Sequence, residues 1–145
     1  ENLRRGWRIV MAGGYVAYYY NNTAWDIVKP DPEAPGNARF RIMKQVMESV
    51  PYWRMDPVPS LAAGGMCIAD PAGTWMCYVE GSKQRRKENT ITLNLTGSGG
   101  PASVEWINTW SGERKTGGEV NGGIAVLEYP ESFEKAPAVV VIRRK

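Results

Sequence analysis

Tyr15–Tyr20, YVAYYY, is an aromatic and β-branched run without polar alternation. Such a run reads as a strand covered on both faces, the situation of a parallel strand between helical layers. Its flanks agree with that reading. Leu3, Trp7, Val10 and Met11 recur at i, i+4, i+7 and i+8, one face of a helix, and Gly13-Gly14 stops it. Lys29–Gly36, KPDPEAPG, must be a loop, and Asn37 can cap a second helix. There Phe40, Met43, Met47 and Val50 repeat at helical spacing, with Lys44, Gln45 and Glu48 outside, until Pro51 ends the element. Helix, strand and helix make one α/β unit, and one strand cannot make a sheet alone. Residues 1–56 are therefore expected to belong to a larger parallel assembly.

The texture changes near residue 57. Short strands are expected at Met66–Asp70, Thr74–Glu80, Thr90–Thr96, Ser103–Thr109, Gly123–Tyr129 and Ala138–Arg143, with glycine-rich turns between them and no helix. That pattern predicts an antiparallel β-sandwich over 57–145, and an α+β, mainly β chain as a whole. Pro71-Ala72-Gly73 suits a three-residue hairpin loop closed by a left-handed glycine. Its register sets Asp70 opposite Thr74, and so Cys67 opposite Cys77. Directly opposed residues are close enough for a cross-strand disulfide, which suits an exported protein. Two reduced, buried thiols are the alternative.

Composition excludes several kinds of chemistry. The 145 residues fit one domain, or a small domain and a flanking piece. There is no histidine, which removes the commonest general base, the commonest zinc ligand and the standard triads. Two cysteines alone cannot build a structural zinc site. No cofactor or metal is expected, and hydrolysis would have to run on carboxylates. The net charge of +3 is spread along the chain, unlike that of a nucleic-acid binder. Lys83–Lys87 is the densest basic run; it reads as a solvated loop, with phosphate or acidic-glycan contact as the alternative. No apolar run is long enough to span a membrane. The opening ENLRRGWRIVMAGG reads as an amphipathic helix rather than a signal peptide, and without an initiator Met the chain is expected to be a mature or excised segment.

LRRGWRIVMAGGYVAYYYNNTAWDIV followed by RFRIMKQVMESVPYWRMDP resembles the closing segment of (β/α)₈-barrel glycoside hydrolases that include the apiosidase-like enzymes. DPAGTWMCYVEG, WINTWSGE, GGIAVLEYP and AVVVIRRK resemble the β-sandwich that follows that barrel, a module catalogued as a collagen-binding domain of a collagenase. The resemblance covers almost the whole chain. It implies that 1–56 close a barrel whose other strands are the missing partner, and that the protein is secreted or periplasmic. The two helices would then cover sandwich surface that the barrel otherwise covers. Carbohydrate or collagen is the implied ligand.

Trp25 and Asp26 would lie on the loop after the last barrel strand, at the end where barrel active sites sit. Trp25 could stack on a sugar ring and Asp26 bond a hydroxyl; alternatively Trp25 packs under the loop and Asp26 caps backbone amides. Trp106 and Trp110, four apart, would share a strand face with Asn108, as an exposed carbohydrate platform or as core. Trp53 and Trp75 read as packing residues. Asn21-Asn22-Thr23 and Asn94-Leu95-Thr96 fit the glycosylation triplet. Glycosidic cleavage needs two carboxylates about 5–10 Å apart. Asp26 with Asp31 is the nearest pair, and a proline-rich loop is a poor platform for it. The chain alone is expected to be catalytically silent, and enzymatic activity to belong to its parent protein.

Overall fold

The computed structural model describes residues 1–17, 36–62, 66–81, 90–97 and 99–145. Two helices come first, α1 (Asn2–Met11) and α2 (Asn37–Glu48). Eight strands follow: β1 (Asp56–Pro57), β2 (Met66–Asp70), β3 (Thr74–Val79), β4 (Thr90–Leu95), β5 (Ala102–Asn108), β6 (Arg114–Val120), β7 (Gly123–Glu128) and β8 (Ala138–Arg144). The order β1-β2-β3-β8-β5-β6 builds one sheet, β4-β7 a smaller second one, and every pairing among these strands is antiparallel. The fold is α+β, mainly β, with two facing sheets as expected.

Alternation along the strands separates two apolar layers. Cys77, Trp106, Val140 and Ile142 of the large sheet meet Leu93, Leu95 and Leu127 of the small one. On the opposite face, Met76, Tyr78, Val139 and Val141 meet Leu3, Trp7, Met11, Met43 and Val46 from the helices. The helices thus form a third layer over the large sheet. β8 is the central strand, and Ala138–Ile142 are wholly buried because both faces are covered. The apolar-on-both-faces logic applied to Tyr15–Tyr20 is realised in β8.

Over its described part the expected parallel strand is not formed. Tyr15–Ala17 carry no regular structure, and Tyr15 is 86% exposed. A strand needs a hydrogen-bonded neighbour, and no described strand runs beside this segment. Residues 18–20 lie outside the described residues.

The β2–β3 hairpin has the anticipated register, Asp70 opposite Thr74 and Cys67 opposite Cys77. Gly73, at φ +107°, supplies the left-handed turn residue. Asp70 fixes the turn: Oδ1 accepts from the Ala72 amide at 3.1 Å, and Oδ2 from Arg54 Nη2 at 2.8 Å. Cys67 and Cys77 are joined by a disulfide with Cα atoms 4.1 Å apart.

Two strands escaped the sequence reading, the two-residue β1 and β6. β6, RKTGGEV, is polar, holds two glycines and is exposed along nearly its whole length, since it forms an edge with β5 as its one neighbour among the described strands. Gly117 has a packing role there, because a Cβ at that position would fall 2.5 Å from Val104 Cγ1.

α1 is held by one apolar face and one ion pair. The Trp7 ring stacks on Tyr78 at 5.8 Å between centroids, and Arg8 Nε donates to Glu80 Oε1 at 2.9 Å. The Trp7 indole N–H and the Tyr78 hydroxyl are buried with no hydrogen-bond partner among the described residues. Burial, then the Glu80 charge, pushes the Tyr78 phenol up to about 12. Its ordinary value is near 10, so the neutral phenol's contribution to stability is intact below pH 10 and lost as pH rises through about 12. Tyr78→Phe removes both the orphaned hydroxyl and this titration. At pH 7 the variant is expected to be as stable as the parent or more so. By pH 11 it should retain about 1 kcal/mol that the parent has lost, as read from urea unfolding at the two pH values.

Candidate functional site

A cleft of about 610 Å³ opens where the C-terminal end of α1, the end of α2 and the segment 52–57 converge. Its placement follows from local sequence. Gly13, at φ +82°, turns the chain away after α1, and Pro51 stops α2 and leads into a 3₁₀ turn over Tyr52–Arg54. That turn points its aromatics outward: Trp53 is 69% exposed and makes an edge-on contact with Tyr52 at 5.6 Å. With Tyr15 they give the cleft an aromatic rim over apolar lining from Met47, Met55 and Ile68. Lys44 and Glu48 contribute charge, with Lys44 Nζ 3.6 Å from Glu48 Oε1. Contiguous exposed aromatics edged by a few charges make an interaction surface.

The residues singled out in the sequence are dispersed. Trp25, Asp26 and Asp31 lie outside the described residues, as do Lys83–Lys87. Trp106 is 1% exposed, edge-on to Tyr129 in the inter-sheet core, and offers no face to a sugar. Trp110 does not share its strand. β5 ends at Asn108, whose Oδ1 accepts from the amides of Trp110 at 2.8 Å and Ser111 at 3.1 Å and so turns the chain. Trp110 lies on that turn, 38% exposed, with the Arg39 guanidinium 4.9 Å from its ring centre. Of the two readings, core is the one Trp106 realises; the expected shared face with Trp110 is not formed, and Trp110 instead helps seat α2 on the β5–β6 turn.

Trp53 also departs from expectation, being the most exposed tryptophan of the described residues rather than a packing residue. The sequence held a signal for this: an aromatic pair directly after a helix-ending proline falls on a tight turn, where side chains splay outward. Cys67 and Cys77 lie at 2% and 0% exposure in the layer between the sheets, so their bond is shielded from solvent reductants. Among the described residues no group of three or more His, Cys, Asp or Glu could hold a metal ion, and no helix is long and apolar enough to cross a membrane.

No protein-family model and no curated protein matches the chain. Solved structures do resemble it. One described as "Glycoside hydrolase" superposes with a TM-score of 0.70 at 16% identity, covering 99% of this chain and 36% of its own. A glycoside hydrolase family 5 structure from Bacteroides vulgatus ATCC 8482 superposes with a TM-score of 0.60 at 16% identity, covering 90% of this chain and 29% of its own. The chain thus has a glycoside-hydrolase-related fold and spans about a third of the length of the structures it matches.

Proposed function

We propose that this chain is the non-catalytic C-terminal portion of an exported glycoside hydrolase, supporting a (β/α)₈ barrel through its helical side and contacting glycan. The observation that carries this reading is the extent of the structural match: nearly all of this chain corresponds to about a third of a much longer glycoside hydrolase. The aromatic cleft supports the barrel-facing part of this role, because Tyr15, Tyr52 and Trp53 edge a surface at the end of α1, next to the segment whose sequence resembles the closing barrel strand. The buried Cys67–Cys77 bond agrees with export into an oxidising compartment.

Turnover of aryl glycosides tests the division of labour. The 145-residue chain is expected to release no aglycone, whereas the parent protein with its barrel turns over. Glu48→Gln, which changes the carboxylate facing the cleft, should leave the parent's kcat within about twofold, less than the loss of any transition-state contact would produce. Turnover by the chain alone, or its collapse in that variant, would place catalysis here and overturn the proposal.

A further inference from the structure

At the opposite side of the large sheet, where the small sheet stops short, lies a second groove of about 510 Å³. Register explains its shape. Asp56, Ala69, Trp75 and Ile142 form one cross-strand row over β1, β2, β3 and β8. Trp75 points to the same face as Cys77, toward β4 and β7, and packs against the inter-sheet core while also lining the groove. Its neighbour in the row is Ala69, whose methyl leaves a hollow between the indole and Asp56. Neighbouring strands are about 4.8 Å apart, so the Trp75 and Asp56 backbones stand roughly 10 Å apart across that hollow. Ser60 and Asn94 line it from the small-sheet side, and Arg144 from the end of β8.

We infer that this groove is a subsite for a sugar residue of a polysaccharide chain, with Trp75 as the stacking surface and Asp56 and Arg144 as hydroxyl partners. The choice of sugar rests on the reading above that the parent protein acts on glycans; the location rests on the groove alone. An indole plane takes the C–H face of a pyranose, and carboxylate, hydroxyl and guanidinium groups around it serve equatorial hydroxyls as acceptors and donors. Asp56 and Arg144 offset each other in charge, which suits a neutral ligand better than a phosphate. A third groove bearing a tryptophan, between β6 and β7, is different: Trp106 there is 1% exposed and presents no stacking face.

A glycan array of plant, fungal and bacterial cell-wall polysaccharides, probed with the 145-residue chain, tests the site. Binding to at least one neutral polysaccharide is expected, and Trp75→Ala should weaken it by about tenfold or more. Because Trp75 also touches core, Asp56→Ala is the control that leaves packing intact; its side chain is exposed and its loss should weaken the same binding severalfold. Trp53→Ser, in the other cleft, should leave glycan binding unchanged. Absence of binding across the array, or binding indifferent to both Trp75→Ala and Asp56→Ala, would overturn the inference and leave the barrel-supporting role standing. Conversely, loss of barrel contact with glycan binding retained would remove the supporting role and leave this site.

Discussion

Trp7→Ala is expected to destabilise the chain by about 3–5 kcal/mol, the cost of deleting a large aromatic from a closed core. Trp7 is 0% exposed and is one of the largest fully buried side chains of the described residues. α1 has ten residues, too few to persist alone in water, so its helicity depends on docking. That docking consists of Leu3, Trp7 and Met11 against the sheet, with Gly6 letting α2 approach closely: a Cβ there would sit 3.0 Å from Met43 Cε. Removing the indole empties the space above Tyr78 and loosens both helices together. Guanidinium unfolding followed by tryptophan fluorescence and far-UV circular dichroism should show either one transition at much lower denaturant or an early, separate loss of helix. Ile9→Ala, at a 46% exposed position of the same helix, serves as the contrast and should cost under about 0.5 kcal/mol. Equal effects of the two substitutions would show that α1 is not seated as described.

Removing the cross-strand disulfide is the second large effect. Cys67 and Cys77 are ten residues apart, and closing a loop of that size restricts the unfolded chain by about 2.7 kcal/mol at 25 °C. The double variant Cys67→Ala, Cys77→Ala also trades two buried sulfurs for methyls in the layer between the sheets, which adds a packing loss. A total of about 3–4 kcal/mol is expected, read as a lower urea midpoint. Because both sulfurs are buried, reductant should act on the native protein slowly and on the unfolded protein at once. A midpoint indifferent to the double substitution would deny the bond a structural role, and with it one support for export.

Much of this architecture was legible in the residues, where local chemistry and tertiary context point the same way. Pro71-Ala72-Gly73 fixes a turn, the turn fixes a register, and the register places two cysteines face to face. The helical faces of α1 and α2 follow from spacing, and both helices are present. β6 was hidden because an edge strand needs neither alternation nor apolar residues; Arg114–Val120 hold their place by pairing with β5 and through the flatness of Gly117. The Trp106–Trp110 face failed for another reason. Period-two arithmetic holds only while a strand continues, and the Asn108 side chain ends this one before Trp110. The outward turn of Tyr52 and Trp53 was signalled locally by Pro51, whereas the groove beside Trp75 arises from how the layers stack, which no local pattern encodes.

The central claim is that the α-side cleft is an unfinished surface that the barrel of the parent protein covers. Amide hydrogen exchange, measured on the 145-residue chain alone and within the parent protein, reads this directly. Tyr52 and Trp53, at the exposed rim of the cleft, should exchange quickly in the isolated chain and at least about tenfold more slowly in the parent, while central β8 amides such as Val140 stay slow in both. Identical exchange at Tyr52 and Trp53 in the two contexts would mean that nothing docks there, and the supporting role would be wrong.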